Sequence, residues 1–207
     1  IIGSPDVDLM FSKELPSLKE AKEWYDIYFK DYSICLFHPV TTEIDVLETQ
    51  VKCLIESLIE SKKNYIVIYP NNDLGSKLII ENYRKVESPN IKFLSSMRFE
   101  FFLTILKNSE FIIGNSSAGI REAPYYSLHS INIGTRQNKR DQNPLIINVN
   151  FDKNQIINAI NNISKDKVHK PIKNYGEGNS SNQFIGILEL ENFWEIKNQK
   201  IFNDINN

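Results

Sequence analysis

Ile112–Glu122 reads IIGNSSAGIRE. An apolar run ends on glycine, passes through Asn-Ser-Ser, and continues into Ala-Gly-Ile-Arg-Glu. This is the pattern of a buried strand that turns through small residues into a helix. Gly114 lets the chain turn sharply as the strand ends. Ser116 and Ser117 supply hydroxyls, and with Gly119 they leave room for phosphate oxygens beside free N–H groups. The start of the following helix favours an anion. Glu122, in about the first turn of that helix, can accept the two hydroxyls of a ribose. On spacing alone, a capped turn with a dipole-matched glutamate accounts for the same residues.

Outward from this stretch, strands and helices alternate. Ser33–Phe37 and Tyr65–Tyr69 are apolar runs suited to buried strands, and shorter ones follow at Ile91–Leu94, Glu110–Ile113, Ser130–Ile133 and Leu145–Val149. Helices are expected from Ser17 to about Phe29, with Glu20 at capping-box spacing, and over 45–60, 75–85, 98–107, 119–126 and 155–163. Helical segments between strands predict βαβ units. Right-handed crossovers then give an α/β, Rossmann-like, doubly wound parallel sheet. A polar stretch, PIKNYGEGNSSNQ, reads as a linker, with two amphipathic helices after it at 181–190 and 191–200. The expected organisation is one domain over 1–170, followed by the linker and helices of 171–207. The opening IIGSPDVDL reads as a strand end entering a turn, which suggests a piece of a longer protein.

Composition narrows the class. The chain has 207 residues, 41% hydrophobic and 24% charged, with a formal net charge of -2. That offers no basic footprint for nucleic acid and no polybasic membrane patch. No apolar run approaches the roughly 18 residues of a membrane span, and no leader pattern is evident, so the cytoplasm is expected. Cys35 and Cys53 lie in apolar patterned segments and read as reduced, packed thiols. No Cys/His cluster has metal-ligand spacing, and no metal or cofactor is expected.

In an open parallel sheet, ligands bind beyond the carboxyl ends of the strands. Here those ends are Phe37-His38-Pro39, Tyr69-Pro70-Asn71-Asn72-Asp73, Ile113-Gly114-Asn115-Ser116-Ser117 and Ile133-Gly134-Thr135-Arg136. Each runs into small or polar residues, which points to one shared site. His38 is the acid/base candidate among three histidines. Arg136, with Lys139 and Arg140, could meet phosphate or form a surface basic cluster. Phe99, Phe101 and Phe102 could form core, or one of them could stack on a base.

FHPVTTE, YPNNDLGSK, IGNSSAGIREAP, INIGTRQ and YGEGN, in this order, resemble the C-terminal domain of hydrolysing UDP-N-acetylglucosamine 2-epimerases. The resemblance covers nearly the whole chain. HPVTTE separates this branch from the non-hydrolysing epimerases, which carry an Arg-rich segment there. It implies the second half of a GT-B fold, with the 171–207 helices packing toward a first domain. It also implies elimination of UDP from a UDP-sugar to a glycal, then hydration to N-acetylmannosamine or a related 2-epimer. By motif, His38 matches the histidine that assists UDP departure. Ser116 and Ser117 match the diphosphate serines, Glu122 the ribose glutamate, Arg136 the arginine near the phosphates, and Phe102 the aromatic on uracil. Gly114 and Asn115 belong to the same UDP-binding motif. The fragment alone is expected to be inactive, and the full-length protein to be a homo-oligomer. The regulatory arginines of the animal enzyme would fall around Glu81–Lys85, where Glu81 has the opposite sign for one of them, a departure from the pattern of its feedback control. A GT-B glycosyltransferase half is the alternative reading, and a non-catalytic nucleotide-sensing domain is a third.

Overall fold

The computed structural model describes residues 1–141, 143–163, 173–195 and 199. Two compact units emerge, Lys13–Asn174 and Ile1–Ser12 with the described part of Tyr175–Asn207.

In the larger unit, α2 (Leu18–Trp24) opens on a full capping box. Ser17 Oγ accepts from the Glu20 N–H, and the Glu20 carboxylate accepts from the Ser17 N–H. The helix stops short of Phe29 because Asp26 takes a positive φ of 50°. Strand β1 (Ser33–Leu36) then enters the sheet. A 3-10 turn over Thr41–Val46 precedes α3 (Leu47–Glu60), where one longer helix from 45 was expected. Then come β2 (Tyr65–Ile68), α4 (Ser76–Tyr83), β3 (Ile91–Leu94), α5 (Phe99–Lys107) and β4 (Phe111–Gly114).

The helix expected over 119–126 is two pieces, α6 (Ala118–Arg121) and a 3-10 turn over Ala123–Tyr126. Pro124 accounts for the break, since it lacks the N–H that an α-helix would use. β5 (His129–Ile133), β6 (Ile146–Val149) and α7 (Lys153–Asn162) complete the unit.

All pairings are parallel, in the order β3-β2-β1-β4-β5-β6. β1 is therefore flanked by β2 on one side and β4 on the other, with Leu36 opposite both Ile68 and Gly114. Chain direction across the sheet reverses between β1 and β4, the place where open α/β sheets form a crevice.

Side-chain alternation sets the two faces. Cys35, Phe37, Val67, Ile113, Ile131 and Ile133 join Val51, Leu54, Leu58, Ile156 and Ile160 of α3 and α7 in one buried cluster. Each such side chain contributes about 1.5–3 kcal/mol on burial. On the other face α6 lies so close that a Cβ on Gly119 would come within 2.2 Å of Ser130 Oγ. Gly119 thus serves helix–sheet packing, not phosphate space.

The smaller unit contains α1 (Pro5–Met10), α8 (Ser180–Leu188) and α9 (Glu191–Trp194). The expected strand end at the N-terminus is instead a helix, with Pro5 at its first position and Asp6 and Asp8 in its first turn. Asp8 caps α8, accepting from the N–H and hydroxyl groups of Ser180 and Ser181 at 2.7–3.0 Å. These bonds, the Ser181 hydroxyl foremost, lower its pKa to about 2. The helix expected over 191–200 is described only as far as Trp194, and its remainder falls largely outside the described residues.

Among the described residues no helix is long and apolar enough to cross a membrane.

Candidate functional site

The strand ends of the larger unit close around a cavity of about 650 Å³. Its wall draws on the β1 end (Leu36, His38), the β2 end (Ile68–Asn72), the β3 end (Ser95–Met97), α5 (Phe99, Phe102), the β4 loop (Ser116–Ala118, Glu122) and the β5 loop (Arg136). The residues matched by motif to the site meet here, His38, Phe102, Ser116, Ser117, Glu122 and Arg136, together with the second aromatic candidate Phe99. Gly114 and Asn115 do not line the cavity, and neither do Lys139 and Arg140.

Gly114 is a backbone requirement. Its φ is +132°, and a Cβ there would meet the Leu36 carbonyl oxygen at 1.9 Å.

Asn115 is 1% exposed and bonded on every polar group. Its N–H donates to the Leu36 carbonyl at 3.0 Å. Its Oδ1 accepts from the His38 N–H at 2.7 Å, and its Nδ2 donates to the His38 carbonyl at 2.8 Å. Its own carbonyl accepts from Arg136 Nη1 at 3.2 Å and from Gln137 Nε2 at 3.0 Å.

Ser116 and Ser117 follow immediately. Ser116 Oγ accepts weakly from the Ala118 N–H at 3.3 Å. Their own N–H groups donate to no described residue. Glu122 sits at the end of α6, where the 3-10 turn begins, rather than in the first turn of a longer helix. It is 9% exposed and still borders the cavity.

His38 is 6% exposed. The Asn71 N–H approaches its Nδ1 at 3.4 Å, which leaves Nε2 as the nitrogen carrying the proton in the neutral ring. Burial first, then the nearby Arg136 charge, pull its pKa from 6.5 down to about 4, against a smaller upward pull from Asp73. The imidazole is therefore a neutral Nε2–H donor at pH 7.

The aromatic helix splits by face. Phe99 and Phe102, three residues apart, stack at 6.4 Å between centroids and both border the cavity. Phe101 turns away onto Trp24 at 5.6 Å and Tyr25 at 5.7 Å.

The β1 and β5 loops are also tied to each other. The Thr135 hydroxyl hydrogen-bonds to one Glu43 oxygen, and Gln50 Nε2 donates to the other at 2.8 Å. FHPVTTE and GTRQ, far apart in the chain, thus form one rim. The β3 end, Ser95–Met97, was not among the strand ends expected to carry the site. Its signal, two serines directly after a short apolar run, was present but weak. Among the described residues no group of three His, Cys, Asp or Glu side chains is arranged to hold a metal ion.

The family model of UDP-N-acetylglucosamine 2-epimerase matches residues 1–189. A UDP-N-acetylglucosamine 2-epimerase of Neisseria meningitidis serogroup B is 39% identical over all of this chain and 55% of its own length. A UDP-N,N'-diacetylbacillosamine 2-epimerase (hydrolyzing) of Legionella pneumophila is 28% identical over 91% of this chain and 50% of its own. The chain thus spans about half the length of these relatives. In structure, the UDP-GlcNAc 2-epimerase of Neisseria meningitidis bound to UDP-GlcNAc superposes with a TM-score of 0.69 at 14% identity, over 91% of this chain and 54% of that one. That of Methanocaldococcus jannaschii, in complex with UDP-GlcNAc and UDP, gives 0.68 at 18% identity, over 91% and 54%. At such low identity this likeness speaks to fold alone, and the fold is a Rossmann-like half of GT-B type. By family model and by sequence identity, the chain belongs to the UDP-N-acetylglucosamine 2-epimerase family.

Proposed function

We propose that this chain is the UDP-binding half of a hydrolysing UDP-N-acetylglucosamine 2-epimerase. The observation that carries the reading is the convergence of His38, Ser116, Ser117, Glu122, Arg136 and Phe102 on one cavity at the β1/β4 crevice. Uracil lies against Phe102, with Phe99 beside it. Glu122 accepts the ribose hydroxyls. The diphosphate meets Ser116, Ser117 and the Arg136 guanidinium.

The reaction breaks the sugar C1–O bond, and the electron pair leaves on a β-phosphate oxygen. Loss of the C2 proton to a base in the additional half gives a glycal. Water then adds, its hydroxyl to C1 and a proton to the opposite face of C2, releasing N-acetylmannosamine or a related sugar. His38 donates Nε2–H to the departing phosphate oxygen, and Arg136 balances the charge that develops there. The exposed Phe184, Ile185 and Trp194 of the smaller unit pack against the additional half.

The test pairs two proteins. The 207-residue chain should bind UDP and turn over nothing. A protein joining it to the additional half should release UDP and a 2-epimerised sugar without any acceptor. A folded chain that ignores millimolar UDP would sink the pocket assignment. A product still attached to UDP would remove the hydrolysing subtype.

A further inference from the structure

Gln137 is the least accounted-for polar residue beside the cavity. It is 2% exposed and borders no ligand space. Burying an amide is unfavourable unless both of its ends are bonded. Both are: Nε2 donates to the Asn115 carbonyl at 3.0 Å, and Oε1 accepts from Arg140 Nη1 at 3.3 Å.

The Asn115 carbonyl has two lone pairs and two donors. One donor, Arg136, faces the cavity and holds the carbonyl by the longer contact, 3.2 Å. The other, Gln137, is walled off from it. An anion entering the cavity competes for the guanidinium, because a charged acceptor outbids a neutral carbonyl. The carbonyl would then lose one of its donors. Asn115 also grips both backbone groups of His38, so any rotation of Asn115 moves the imidazole.

We propose that Gln137 is a positioning residue that keeps the Asn115 carbonyl bonded while Arg136 moves onto the anion, so that His38 stays in place as ligand binds. The idea rests on the cavity being an anion site, as in the UDP reading. Its core claim, that Gln137 holds His38 through Asn115, does not require UDP.

Gln137→Met keeps the length and removes both bonds. Gln137→Glu keeps an acceptor for Arg140 but replaces the Asn115 donor with a carboxylate. The first readout is the His38 titration by NMR without nucleotide, with His129 and His169 identified by single substitutions. The charge-neutral Gln137→Met should move the His38 midpoint by about half a pH unit or more, a change that a merely structural glutamine would not produce, and Gln137→Glu should move it as well. UDP affinity should fall at least fivefold in both. A wild-type midpoint in either folded variant overturns the proposal, and a normal Gln137→Glu traces the effect to Arg140 instead.

The second readout needs no variant. When UDP is added to the wild-type chain, the Arg136 guanidinium signals should shift while the Gln137 side-chain NH2 stays put and protected from exchange. A Gln137 amide that shifts along with Arg136 overturns the proposal even if both variants fail to fold. Failure of wild-type UDP binding, with the His38 midpoint still moved by the variants, would remove the UDP reading and leave the clamp standing.

Discussion

The β4 loop has an inner and an outer side, divided by one peptide bond. On the inner side each polar group of Asn115 is bonded within the protein, joining Leu36, His38, Arg136 and Gln137. On the outer side Ser116 and Ser117 border the cavity, and of their two hydroxyls only that of Ser116 has a described internal partner, the Ala118 N–H at 3.3 Å. Both sides look alike in sequence, as small polar residues after a strand. The inner residue builds the wall, and the outer pair faces what the wall encloses. Loss of the inner side should therefore appear as loss of folding, and loss of the outer side as loss of binding.

The sharpest expected effect is at the hinge between the two sides. Gly114→Ala adds left-handed strain to an overlap with the Leu36 carbonyl and should destabilise by about 4 kcal/mol or more, read by urea unfolding or by the absence of soluble protein. Asn115→Ala strands the buried backbone groups of His38. A loss of about 2–4 kcal/mol is expected in the same measurement. A stable Asn115→Ala variant with weakened UDP binding would place Asn115 on the outer side after all.

The His38 titration comes next. Its folded pKa lies below its ordinary value, so the unfolded chain binds more protons between the two. Stability is fully present above pH 6.5 and falls as pH drops toward about 4, by about 2 kcal/mol allowing for solvent screening. The difference between wild type and His38→Asn across that window isolates the effect, and parallel curves would count against it.

Ser117→Ala, on the outer side, should leave stability within about 0.5 kcal/mol and weaken UDP about tenfold by calorimetry. The smallest effect separates the faces of α5. Phe102→Leu should weaken UDP about fivefold through lost stacking, whereas Phe101→Leu should change it less than about twofold. Equal responses would mean that α5 does not sort its aromatics as the cavity implies.

The fold was largely legible because strands buried on both faces leave near-continuous apolar runs. Ser33 and Tyr65 begin strands where such runs begin. Local backbone events were harder to read. Asp26 at positive φ ends α2, and Pro124 divides the helix after Ala118, each overriding an amphipathic pattern that continues past it. α1 was missed although Ser4, Pro5 and Asp6 spell a helix start, because the same residues spell a turn.

At the site, strand-end chemistry named the wall at His38, Ser116, Ser117, Glu122 and Arg136, and the family resemblance added Phe102. It could not tell Asn115 from Ser116, since which way a polar side chain faces depends on a partner 77 positions away. Gln137 was silent for the same reason, its partner being 22 positions back on another strand end.

The bond between Asn115 and His38 also has a consequence for how the molecule assembles. It spans 77 positions, and two strands and three helices lie between β1 and β4 in the chain. Closing so long a loop is slow relative to the local βαβ contacts on either side. The crevice is therefore a late product of folding, and the His38 ring environment is a natural clock for it. In a refolding time course, sheet signals from β2 and β3 should rise first. The histidine should take up its buried, proton-poor state only with the final phase.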